Sequence, residues 1–221
     1  MADGEHSEIS QDDWRELRVS ISTLEARLNI KGFFARLSKE NDWAYIVHLQ
    51  ALIETATNDL LRAHFREPRL ENFFRDLTFN GGAASKVALM RCMDLMSKEA
   101  LGIITMVCSI RNRLVHHAPN VNVSLKDYVA GLSSNQLEEI RKPLRYYIKD
   151  EYVEVDDLRS SIWLASFFVI AELSVQIDCC LLRDRAENAE QKAASLYRDL
   201  YEAMKKAKEP PTIEELFKLR D

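Results

Sequence analysis

The sequence predicts an all-α protein, an up-and-down helical bundle with additional helices at its C-terminal end. Three observations predict it. Six Gly and five Pro in 221 residues are too few for a chain of many short strands and tight turns. Apolar residues recur at three- and four-residue intervals over long stretches, the period of an amphipathic helix. The few strong breakers, Gly32, Pro68, Gly81-Gly82, Pro119 and Pro210-Pro211, stand between those stretches. Hydrophobic residues make up 47% and charged residues 29%, ordinary values for a globular protein. A chain of this size buries roughly 70% of its unfolded surface and needs no disulfide or metal staple.

Residues 1–9 are polar and acidic and are expected to be disordered. Residues 10–208 are read as the main helical domain with a C-terminal helical extension. Ser10 is a candidate cap for a first helix, with Asp12 and Asp13 in its first turn, where the helix dipole favours them. Leu17, Ile21, Leu24 and Leu28 repeat at helical spacing, and Gly32 ends or interrupts that helix. A second helix is expected from about Asn41 to Phe65, stopped by Pro68. Leu70 to Phe79 reads as a short helix before the Asn80-Gly81-Gly82 break. Ser85 to Met96 reads as another helix. Ser97 then caps a helix that runs to about His117. Ser133-x-x-Gln136 reads as a capping box for a short helix, while Tyr146-Tyr147-Ile148 and residues 152–155 read as small strands. A core helix over about Leu158–Leu182 is expected to continue through the Ala-rich stretch to residue 207. Residues 209–221 hold a short amphipathic helix opened by Thr212 and Glu215.

A net charge of −5 argues against a broad nucleic-acid-binding face, so any RNA contact must use a local basic patch. Cys92, Cys108, Cys179 and Cys180 have no metal-ligand spacing and read as free buried thiols of a reducing compartment. The start of the chain lacks the basic and apolar regions of a signal peptide. The most apolar stretch, Ile162 to Ala171, is followed by Glu172, Gln176 and Asp178, and reads as a core helix rather than a membrane span. The expectation is a cytoplasmic protein without membrane contact. No Walker loop, metal-protease motif or dinucleotide fingerprint occurs, so neither a cofactor nor a metal is expected.

The chemistry concentrates in Arg111-Asn112-Arg113-Leu114-Val115-His116, at the end of the helix that Ser97 opens. On a helical wheel Arg111 falls roughly 30° from the centre of the apolar face. An Arg there needs a carboxylate, carbonyls or a ligand phosphate, because an unpaired buried charge is very costly. Asn112 and His116 are four apart on one flank. The helix C-terminus favours an imidazolium, which suits a proton donor. The plainer alternative pairs Arg111 with Glu54 and leaves Asn112 and His116 to close the helix. His117 reads as a solvated neighbour of His116, and Arg113 as surface charge.

Arg111-Asn112-x3-His116, at the end of a helix in an all-α chain, resembles the signature of the HEPN superfamily. Ser85 to His117 resembles the corresponding segment of its mannitol operon repressor branch, and Ala51 to Leu61, which holds Glu54 and Asn58, is similar to an earlier helix of that branch. The resemblance spans about residues 41–120. It implies a helical bundle that forms a homodimer. In active members two such motifs meet across the dimer and cleave RNA without metal, leaving a 2′,3′-cyclic phosphate and a 5′-hydroxyl. Arg111, Asn112 and His116 would be the catalytic residues of a metal-independent endoribonuclease. The alternative is a non-catalytic regulator of the same fold, working through a protein partner or nucleic acid.

Glu54 and Asn58 are four apart on the second helix. They either help to position Arg111, with His117 as a further supporting residue, or form a helix–helix hydrogen-bond pair. His48 and His64 read as structural. Glu172, Gln176 and Asp178 read as a solvent-facing flank, with the lining of a dimer cleft as the alternative. Lys205, Lys206 and Lys208 read as a solvated helix end.

Overall fold

A computed structural model describes residues 11–115, 123–148 and 158–206. Among them are nine α-helices, one 3-10 turn and no strand, so the chain is all-α as expected. It divides into two compact units, one up to Asp178 and one from Cys179 onward.

Helix α1 (Gln11–Arg27) closes through Asn29, in the left-handed region at φ 54°. The carboxylate of Glu25 accepts hydrogen bonds from the backbone N–H of Gly32 (2.6 Å) and Phe34 (2.9 Å). It thereby starts a five-residue helix, α2 (Phe33–Leu37), that local sequence does not announce. Asn41 caps α3 (Asp42–Phe65) through Ala44 N–H. The stop comes at Arg66, left-handed at φ 54°, two residues before Pro68, which instead begins a 3-10 turn (Pro68–Leu70).

Helix α4 (Glu71–Asp76) is shorter than expected. Leu77 turns extended, and Thr78 bridges Ser85 across the Gly81-Gly82 turn, where φ is 123° and 73°. Helix α5 (Lys86–Cys92) is capped by Ser85 and ends short of Met96, because Asp94 turns left-handed. The Ser97 hydroxyl caps α6 (Lys98–Val115) through Ala100 N–H. A six-residue helix, α7 (Leu125–Ala130), was not foreseen.

The Ser133–Gln136 capping box opens α8 (Ser134–Tyr147). Tyr146 and Tyr147 finish this helix, which corrects the expected strand. Ile140 and Leu144, four apart, are buried and anchor it to the core. Pro143 inside it lies against α6 where that helix has Gly102: a Cβ at Gly102 would sit 3.3 Å from the Pro143 side chain. Tyr147 stacks on Phe168 at 5.7 Å. The expected first-helix cap Ser10, the disorder of residues 1–9, the strand over 152–155, the last helix and Lys208 lie outside the described residues.

Helix α9 (Leu158–Lys206) is one continuous helix, as expected. Ile162, Ala165, Val169, Ile170 and Leu173, on one face at helical spacing, are fully buried. Among the described residues it is the one helix long and apolar enough to cross a membrane by length and composition. Asp178 is exposed, as expected of a solvent-facing flank, whereas Glu172 is half-buried. Glu172 accepts from the backbone N–H (2.7 Å) and hydroxyl (3.0 Å) of Ser97, tying α9 to the start of α6. Asp178 pairs with Arg27 of α1. Within the first unit α6 is central, with α3, α5 and α8 packed around it.

Arg159 joins the start of α9 to the start of α3. Its guanidinium pairs with Asp42 at 2.6 Å and donates to the carbonyls of Leu37, Ser38 and Glu40. It also lies 4.5 Å from the centre of the Tyr45 ring. The other oxygen of Asp42 accepts from Leu125 N–H at 2.8 Å, which fixes α7. Burial pushes the Tyr45 hydroxyl well above its ordinary pKa, against the pull of Arg159. Lysine has neither the planar fork nor the stacking face for this set of partners. Arg159→Lys is therefore expected to lower the unfolding free energy by about 2 kcal/mol, read as a shift of the urea midpoint. An unchanged midpoint would remove Arg159 from this role.

Candidate functional site

The site begins with two helices, α3 and α6, that pack against each other. Their polar residues, Gln50 and Glu54 on α3 and Arg111 and Asn112 on α6, line one cleft of about 370 Å³. Its far wall is the extended segment Leu77–Asn80, turned inward by the Gly81-Gly82 loop. Cys108, one turn before Arg111 on α6, forms part of the floor. Its thiol is pushed up to about 12, by burial first and by Glu54 second, with Arg111 opposing. It is a neutral lining group rather than a nucleophile.

Glu54 has the internal position expected of it, but Arg111 is not its partner. The ammonium of Lys86, 1% exposed, pairs with Glu54 Oε1 at 2.7 Å. Gln50 donates to Glu54 Oε2 at 2.9 Å. Each carboxylate oxygen thus has one partner. Arg111 is half-buried and donates through Nη1 to Asn112 Oδ1 at 3.1 Å. Its Nε is buried and has no hydrogen-bond partner, and it makes no ion pair among the described residues. The cleft is thus edged by a guanidinium that forms no ion pair among the described residues.

Of the expected site residues, Arg111, Asn112 and Glu54 line the one cleft. Asn58 does not line it; it lies half-buried on α3 with its Oδ1 enclosed and without a partner. His116 and His117 lie outside the described residues, directly after the last residue of α6. Arg113 is not plain surface charge. Half-buried, it donates to the Tyr128 hydroxyl at 3.4 Å and lines a larger cleft of about 650 Å³ between α6 and α8. Burial raises the Tyr128 hydroxyl pKa, against Arg113. Successive odd positions of α6 thus serve clefts on its two sides.

No family model, curated protein or solved structure matches this chain.

Sequence reasoning missed Lys86, Gln50 and the Thr78–Asn80 wall. Gln50 had a signal, since it stands four before Glu54. Lys86 had none, because a Lys just after a helix cap reads as solvated. His48, exposed, faces Glu40 at 3.9 Å, and His64 packs edge-on to Phe65. Cys108 and Cys180 are buried free thiols, whereas Cys92 and Cys179 are exposed, on the outward sides of their helices, which corrects the expectation of four buried thiols. No group of three metal-ligating side chains occurs among the described residues.

Removing the carboxylate from Lys86 leaves an enclosed ammonium with no counter-charge. Glu54→Ala is expected to cost about 3 kcal/mol, measured by chemical denaturation. The pair Glu54→Ala/Lys86→Met should recover most of that loss. A double variant as unstable as the single one would show that the ion pair is not the cause.

Proposed function

We propose that this chain is a HEPN-like helical protein that acts on RNA, a metal-independent endoribonuclease whose site is Arg111, Asn112 and His116. The observation that carries the reading is Arg111 at the edge of a cleft, its Nε without a partner, beside a carboxylate already engaged by Lys86 and Gln50. A planar guanidinium held this way suits a phosphodiester, whose oxygens accept its N–H groups in pairs. Asn112, already bonded to Arg111, sets the plane of the guanidinium and offers its amide to a phosphate oxygen.

The reaction assigned to these residues needs no cofactor. The ribose 2′-oxygen attacks the adjacent phosphorus as the bond from phosphorus to the 5′-oxygen breaks. The 2′-hydroxyl proton passes to a neutral imidazole, and a protonated imidazole delivers a proton to the departing 5′-oxygen. In a homodimer the two His116 side chains divide these roles. Arg111 neutralises charge that builds on the non-bridging phosphate oxygens. The acidic chain confines RNA affinity to this local site.

A second reading has its own support. Leu196, Tyr197 and Tyr201 on α9 are 65–74% exposed, a surface that favours a regulator working through protein contact in the cytoplasm. The two readings separate in one assay. Purified protein is incubated with mixed RNA in EDTA beside Arg111→Ala and His116→Ala variants whose helicity matches the parent by circular dichroism. The nuclease reading predicts cleavage by the parent with cyclic-phosphate ends. It predicts a loss of about 100-fold or more in each variant. No cleavage by the parent at high concentration would favour the regulator, and equal cleavage by all three would assign the activity elsewhere.

A further inference from the structure

From Cys179 onward the chain is a unit of its own, and its described part is a helix. That helix has no β-branched residue, Gly or Pro between Arg183 and Lys206, so the backbone is strongly disposed to stay helical. Leu182, Ala186, Ala189, Ala193, Leu196 and Leu200 recur along it at intervals that alternate between four and three residues. The seam is narrow, because the neighbouring positions Arg183, Arg185, Glu190 and Lys192 are charged. A helix that faces a globular core carries a broader apolar stripe. A strict seam of mean period 3.5 is the pattern of a helix that supercoils with another helix. The seam is uncovered: Leu182 is 61% exposed and Leu196 70% exposed.

The charges beside the seam say which helix fits. In heptad terms Arg185 stands at g and Glu190 at the e position of the next heptad, five residues on. In a parallel, in-register pair of identical helices, g of one strand faces that e position of the other. Arg185 then meets Glu190 of the second strand, and symmetry makes the contact twice. Neither side chain has an ion pair in its own chain among the described residues. The same rule lays Lys192 across Tyr197, a ring that is 74% exposed. An antiparallel pair sets g beside g and e beside e, and never brings these two charges together.

We infer that the helix of the second unit pairs with the same helix of a second copy of this chain, as a parallel, in-register two-stranded coiled coil. The leucine layers supply its apolar contact and the alanine layers let the two backbones approach closely. This inference is independent of the reading of the cleft, and a dimer that cleaves no RNA leaves it intact.

The full-length chain is tested by sedimentation velocity and by oxidative cross-linking. Ala186→Cys and Ala203→Cys are made separately, with the exposed Cys92 and Cys179 and the adjacent Cys180 replaced by Ser. Both positions belong to the seam, more than two heptads apart. The parent is expected to be a dimer, and both variants are expected to form covalent dimers. Cross-linking at one position only, as at the crossing point of an antiparallel pair, would overturn the proposal, and so would a monomeric parent. Leu196→Asp/Leu200→Asp should give a monomer that retains the parent's melting transition for the first unit; a persistent dimer would place the interface elsewhere. Arg185→Glu should weaken the dimer about tenfold, turning two attractions into two repulsions. Arg185→Glu/Glu190→Arg should restore it. No change in Arg185→Glu would exclude the parallel register.

Discussion

An ammonium enclosed by protein must have a counter-charge, and Lys86 takes the carboxylate of Glu54. That requirement organises the polar interior between α3, α5 and α6. It draws the start of α5 against α3, fixes the Gly81-Gly82 turn that precedes it, and sets Thr78 and Asn80 as a wall facing Arg111. Glu54 lines the same cleft as the Arg111 guanidinium. Its two oxygens are bonded to Lys86 and Gln50, and Arg111 forms no ion pair among the described residues. Glu54 is thus paired with Lys86 while Arg111, on the same cleft, has an Nε without a partner, and the functional reading rests on that arrangement.

Helix α6 carries the consequences to two places. Its apolar face is buried against α3 and α8, which allows its polar residues only the flanks. Arg111 therefore reaches the smaller cleft and Arg113, two residues on, the larger one. The helix is held at its start by Ser97, whose N–H and hydroxyl are both bound by Glu172 of α9. Position along α6 is thereby set from α9, and the close passage at Gly102 and Pro143 sets its distance from α8. These contacts hold the first half of α6, and Arg111 stands near its other end.

What the sequence made legible was local. The long apolar stripes of α3, α6 and α9 and the caps Ser97 and Ser133 depend on neighbours within a few residues, and each is found. The odd position of Arg111 was visible on a helical wheel and is visible in the structure as a half-buried side chain. What was not legible depends on distant residues. Helix α2 is started by Glu25 of another helix. Tyr146 and Tyr147 have strand-forming side chains, yet the capping box and the burial of Ile140 and Leu144 carry α8 through them. Lys86 looks like a solvated residue until its partner 32 positions earlier is placed beside it. Glu172 reads as a solvated acid until Ser97 is placed beside it.

The claim at the centre of this account is that Arg111 is held ready for a phosphodiester. The most direct measurement is equilibrium binding of a short single-stranded RNA, 2′-O-methylated so that it cannot be cleaved, to the parent and to Arg111→Ala over a range of salt concentrations. The account predicts that Arg111→Ala binds about tenfold or more weakly and that its salt dependence falls by about one phosphate contact. The same affinity and the same salt dependence in both proteins would contradict it.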